Sequence, residues 1–176
     1  MLAKIAIVLV VVVVCILLFA ATRPGTFRIQ RSLLIAAPRE KVFRLIDDFH
    51  RWPQWAPQDI EDASMKRTYS GAANGAGAFS EWRGKGSTGS GRMEITESRS
   101  PIRIKIQTTF VKPFKAENLN EFSLDPEGTQ TRVTWSMQGS NLYFMKLMGI
   151  FTNMDRRMGK HFEVGLRNLK RLAETE

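Results

Sequence analysis

The hydrophobic pattern of this chain changes period once, near residue 140, and that change limits the architecture more than any motif does. Before it come short alternating runs separated by glycine clusters: "SMKRTYS", "AFSEWRG", "GRMEITES", "PIRIKIQTTFVKPF", "ENLNEFSLDPEG" and "TQTRVTWSMQG". Alternation puts Met93, Ile95, Ile102, Ile104, Ile106, Phe110, Phe122, Leu124, Val133, Trp135 and Met137 on one face. Arg103, Lys105, Gln107, Arg132 and Thr134 fall on the other. These runs predict an antiparallel meander that is wet on one side. From Asn141 the spacing is helical, and Leu147, Phe151, Met154, Met158, Phe162, Leu166, Leu169 and Leu172 form one long stripe. A sheet with one apolar face and a long amphipathic helix bury each other when the sheet wraps around the helix. The fold class is therefore α+β.

Upstream, "TFRIQRSLLIAA" (26–37) reads as a strand. Pro38 then opens "PREKVFRLIDDF", in which Val42, Phe43, Leu45, Ile46 and Phe49 make one helical stripe. The segment "DFHRWPQWAPQD" (48–59) follows, with Pro53 positioned to begin a second short helix. Trp52 and Trp55, three residues apart, then share one side of it. The expected order is strand, two short helices, six strands and a long helix.

Ahead of all this, "IAIVLVVVVVCILLFAA" runs from Ile5 to Ala21 without a charged residue. As a helix it rises roughly 26 Å, near the thickness of a bilayer's hydrocarbon core. Lys4 before an apolar run also fits a cleaved signal peptide, but Leu18 and Phe19 stand where cleavage wants small residues. A buried core helix fits worse, because the run has no polar face. The reading is a transmembrane anchor over 1–21, a linker "TRPGT" over 22–26 and a domain over 27–176. Five linker residues reach at most about 18 Å, so the domain sits almost on the bilayer. Arg23, Arg28, Arg31, Arg39 and Lys41 follow the span, and only Lys4 precedes it. The positive-inside rule then places the domain on the cytoplasmic face; since most of these charges belong to a folded domain, the extracytoplasmic side stays open.

Lys and Arg outnumber Asp and Glu by 26 to 17. Beside an anchor, that surplus suits anionic headgroups. Nucleic acid is the weaker reading, because the basic residues are spread out, without exposed aromatics between them or a basic recognition helix. Cys15, the only cysteine, lies in the anchor, so the domain has neither a disulfide framework nor a thiolate nucleophile.

"SLLIAAPREKVFRLIDDFHRWPQWAP", "TRVTWSMQG" and "LMGIFTNMDRRMGKHFEVGLRNLKRL" together resemble the SRPBCC superfamily. More narrowly, the chain is similar to its polyketide cyclase/dehydrase-like and START-like lipid-binding members, over Phe27 to Ala173. The resemblance implies a helix-grip fold with a deep cavity between the curved sheet and the C-terminal helix. It also implies a ligand from among lipids, sterols, quinones, polyketides or plant hormones; some members are cyclases. The marker "AAPREKVF…W…W" identifies the fold rather than a reaction.

No catalytic constellation stands out. A zinc site would need both histidines, His50 and His161, plus carboxylates, and no spacing points to one. His50 follows Asp47 and Asp48 and is a weak candidate for a general base; the same pattern commonly just ends a helix. "GKGSTG" (84–89) matches G-x-G-x-x-G but lies between strand patterns, which makes it a hairpin loop and not a dinucleotide site. No cofactor motif is present.

The expected ligand is a hydrophobic or amphipathic small molecule. Trp55, Trp82, Ile104, Ile106, Phe122, Trp135, Met137 and Met158 are the expected lining, with Trp52 packed structurally and Trp55 nearer the pocket. Two alternatives remain: a cyclase- or dehydratase-type enzyme using the same cavity, and a protein-docking module at the membrane.

Overall fold

The structure is a computed structural model that describes residues 2–62, 64–112, 115–141, 143–151 and 153–175. Helix α1 (Leu2–Thr22) precedes strand β1 (Thr26–Ile35). Then come α2 (Arg39–Asp47), a 3-10 segment (Phe49–Gln54) and α3 (Pro57–Glu61). Strands β2 (Lys66–Gly71), β3 (Ala78–Arg83), β4 (Ser90–Arg99), β5 (Arg103–Lys112), β6 (Ala116–Glu127) and β7 (Gln130–Ser140) follow. Helices α4 (Tyr143–Phe151) and α5 (Met154–Thr175) complete the chain.

The strands form one antiparallel seven-stranded sheet in the order β1-β7-β6-β5-β4-β3-β2. Five hairpin connections build β2 to β7, and β1 returns beside the last strand. Irregularities in β4 at Ser90/Gly91 and Ile95/Glu97 bend the sheet, as bulges do. Its concave face closes over α5, a helix-grip arrangement of the α+β class. On the convex face Glu97 collects Arg99, Arg103 and Lys105, and the last two, as hydrogen-bonded cations, hold its carboxyl down at about 2.

Helix α5 lies along β1. The Arg31 guanidinium reaches Asp155 at 3.0 Å and Glu163 at 3.1 Å, passing over Gly159, where a side chain would collide with it. Further along, Lys170 donates to the Leu34 carbonyl and Glu174 accepts the Ala36 N–H. Phe162, Leu166, Leu169 and Ala173 are the buried stripe of the helix.

Three expectations need correction. Pro53 lies inside the 3-10 segment, and the next helix starts at Pro57, where proline suits the first turn. Ile102 is 51% exposed in the β4–β5 turn, because that turn takes it out of the alternating register. The long C-terminal stripe is divided between two helices: the Asn153 side chain accepts the Arg156 N–H at 2.9 Å and so starts α5 afresh.

Helix α1 projects from the domain, with Ile5, Leu9 and Val13 exposed along it. Its Ala3–Thr22 stretch has a mean hydropathy of 3.3 and is long enough to cross a bilayer. Tyr143 of α4 donates its hydroxyl to the Leu17 carbonyl at 2.8 Å, tying α4 to the last turns of α1.

Candidate functional site

Cross-strand register divides the concave face into rows. One row runs Ile104–Phe122–Trp135–Arg31 and the next runs Ile95–Ile106–Asn120–Met137–Ile29. A third, towards α1, runs Tyr69–Ser80–Met93–Thr108–Asn118–Gly139–Phe27. The end of the sheet nearest α1 carries Arg67, Trp82, Gly91 and Phe110.

The first of these rows is sealed by aromatic rings. Trp135 stacks on Phe162 of α5 with centroids 4.2 Å apart and planes at 9°. Phe122 stacks on Trp135 at 4.9 Å, and Trp55 meets both edge-on at 6.2 and 6.1 Å. Trp52 adds a further layer 4.8 Å from Trp55. Both indoles of the "WPQW" segment satisfy their N–H groups on the end of α2: Trp52 donates to the Ile46 carbonyl and Trp55 to the Leu45 carbonyl. The 3-10 turn that contains Pro53 makes this possible, because it brings both tryptophans back beneath α2. Trp55 is as fully buried as Trp52.

Towards α1 the same face turns partly polar. Trp135 Nε1 donates to Asn120 Oδ1 at 3.1 Å, and Asn120 Nδ2 donates to Thr108 Oγ1 at 3.0 Å. Asn118 is buried, yet among the described residues its amide donates only to the Met137 sulfur, a weak acceptor. Arg67 forms a bidentate pair with Asp59 of α3 and also donates to Ser80 Oγ at 2.7 Å. Both members of this ion pair are buried, their side chains 6% and 5% exposed. Trp82 faces Phe110 edge-on at 5.4 Å and donates to the Thr88 carbonyl.

The expected lining residues therefore fall into two groups. Trp55, Ile104, Phe122 and Trp135 meet at the aromatic end; Ile106 and Met137 flank Asn120 in the next row, and Met158 lies half-buried against the core. Trp82 stands apart, since its neighbour Phe110 is six residues beyond Ile104 on β5, about 20 Å along the strand. Sequence reasoning passed over Ser80, Thr108, Asn118 and Asn120. Their signal was parity: each is a polar residue in phase with buried apolar neighbours.

The histidines lie at the periphery. His50 Nδ1 is 2.8 Å from Asp48 Oδ1, and its ring packs on Tyr69 at 4.2 Å, with the side chain 53% exposed. Burial lowers the pKa of His161, whose Nε2 bonds Gln58. Among the described residues no three His, Cys, Asp or Glu side chains converge as metal ligands.

Two open clefts flank the domain. One, of about 770 Å³ at the end away from α1, is lined by Lys41, Arg44, Asp47, Asp48 and Asn74 among others. Burial raises the pKa of Asp47 there, against the Ser98 hydroxyl, which donates to it at 2.7 Å. The other, of about 520 Å³, lies where α1 meets the domain.

Solved structures share this fold at low identity. A Chromobacterium violaceum protein aligns with a TM-score of 0.61 and 17% identity, over 88% of this chain and 100% of its own. The Aha1 dimer protein from Colwellia psychrerythraea gives 0.59 and 19%, over 85% and 97%. The di-domain ARO/CYC protein StfQ from the steffimycin biosynthetic pathway gives 0.67 and 11%, over 85% of this chain and 51% of that one. These likenesses carry the fold. No curated protein matches by sequence. The family model for polyketide cyclase/dehydrase and lipid transport, in contrast, matches residues 26–174, and with nearly the whole domain aligned the chain belongs to that family, in the SRPBCC superfamily.

Proposed function

We propose that this chain is a membrane-anchored binding module for a hydrophobic or amphipathic small molecule, lipid- or quinone-like. The family fold supports a ligand-binding or cyclase-type role. The carrying observation is the polar group of Asn118, Asn120 and Thr108 on an otherwise largely apolar concave face, where the Asn118 N–H rests on a thioether. A few convergent polar groups in an apolar concavity are what orient a small ligand. In this reading Trp55, Ile104, Phe122 and Trp135 form the floor, and Ile106, Met137, Met158 and Trp82 line the way towards the end nearest α1. Helix α1 holds that end beside the bilayer, the source of such ligands.

Titrating the full chain with long-chain quinones and fatty acids, read by tryptophan emission, tests this. Asn118→Leu keeps the volume and removes the amide, so affinity should fall about fivefold to tenfold for a ligand carrying a hydrogen-bonding group. Unchanged affinity in Asn118→Leu would remove the assignment.

One observation favours a cyclase-type enzyme instead: His50 Nδ1 lies 2.8 Å from Asp48 Oδ1, the imidazole–carboxylate contact by which a general base is oriented. Turnover of an aromatic polyketide analogue that is abolished by His50→Ala would establish that reading.

A further inference from the structure

The cleft at the junction of α1, β1 and α4 combines two cations with an apolar wall. Arg23 follows α1 directly, and Lys146 projects from α4 into the same space; among the described residues no carboxylate lines it. The Arg23 guanidinium lies over the Phe19 ring at 4.9 Å, and neither cation is in an ion pair among the described residues. Phe27, Ile150 and Met154 form the apolar side, and Phe27 and Met154 also pack against the domain core.

Hydrogen bonds hold the cleft in shape. Asn141 donates its side chain to the Pro24 carbonyl at 3.3 Å and its backbone N–H to Gly25, which fixes the start of α4 to the linker. Tyr143 fixes α4 to Leu17, inside the apolar run. Around this end of the domain, Lys66, Lys85, Lys112 and Lys115 are exposed and, among the described residues, outside the ion pairs, whereas Arg67 at the same end is neutralised by Asp59. The local field is therefore positive where the chain leaves the apolar helix.

We propose that this cleft binds the phosphate headgroup of an anionic membrane lipid. Arg23 supplies a planar fork for two phosphate oxygens and Lys146 a second charge, while an acyl chain runs along Phe27, Ile150 and Met154. The shared chemistry is a phosphate, and free phosphate would satisfy the two cations as well. The adjoining apolar wall favours the lipid as its source. This site rests on the reading of α1 as an anchor.

The test is native mass spectrometry of the full chain ejected from nanodiscs of equimolar phosphatidylcholine and phosphatidylglycerol. The expected result is retained phosphatidylglycerol, enriched over phosphatidylcholine, with the enrichment falling about fivefold for Arg23→Gln or Lys146→Gln alone and more for the pair. Excess inorganic phosphate should leave it in place; displacement by phosphate alone would overturn the lipid assignment in favour of a free-anion site. Equal enrichment in the double variant, or none in the native chain, would overturn the site. Flotation with liposomes separates the two readings: a chain that does not float loses both anchor and site, and one that floats without enrichment loses only the site. Lipid retained here without any interior ligand would uphold the site while the interior reading fell.

Discussion

The indole of Trp135 lies flat on the ring of Phe162, with centroids 4.2 Å apart, and this stack joins the sheet to α5. It is the layer on which Trp55 and Phe122 also converge, so it closes one end of the concave face. Gly165 makes the approach possible, since a Cβ there would stand 2.8 Å from the Trp135 ring.

Phe162→Ala should therefore cost about 3–5 kcal/mol of folding stability in urea denaturation, from lost burial and the void left behind. A loss below about 1 kcal/mol would mean that the stack does not join sheet to helix.

Two glycines should respond in opposite directions to alanine. A Cβ at Gly91 would strike the Trp82 ring and the Thr109 carbonyl, so Gly91→Ala should destabilise by about 1–3 kcal/mol. Gly149, in α4, has nothing within 4 Å of that position, so Gly149→Ala should stabilise by up to about 1 kcal/mol through helix propensity. Thermal unfolding of both variants checks the contrast.

The buried Asp59–Arg67 pair should be costly to break on one side. Asp59→Asn leaves a buried guanidinium without its counter-charge and should lose about 3–5 kcal/mol, whereas replacing both residues with apolar ones of similar volume should recover much of it. A double-mutant cycle measures this. Losses that simply add in the double variant would contradict the pairing.

Two groups predict local slopes of the same sign in acid. Both Glu97 and His161 have folded pKa values below their unfolded ones, so each adds stability at high pH that is lost as protons bind the unfolded chain first. For His161 the loss begins as pH falls through 6.5; for Glu97 it begins near 4.5 and continues to about 2. Stability measured against pH should flatten just below 6.5 in His161→Gln and below 4.5 in Glu97→Gln.

Much of the fold was legible because burial imposes period: every alternating run became a strand, and the helical stripe after Asn141 became helix. What escaped depends on single side chains. Asn153 ends one helix and begins another by capping, which a stripe of apolar residues does not reveal. The compactness of "WPQW" came from two indole N–H groups finding carbonyls on α2, a pairing that spacing alone does not specify. At the candidate site, the aromatic residues were legible by type, but Thr108, Asn118 and Asn120 were hidden among the apolar parity they interrupt. Ile102 shows the reverse error, an in-phase residue that the turn exposes.

In the proposed function the concave interior takes up a hydrophobic small molecule beside the bilayer. The most direct measurement is organic extraction and native mass spectrometry of the full chain purified from membranes, alongside Asn118→Leu and Trp82→Ala. The expected result is one defined apolar or amphipathic molecule per chain, depleted in both variants while their folds are kept. A chain that carries no such molecule and takes up none from a lipid extract would contradict it.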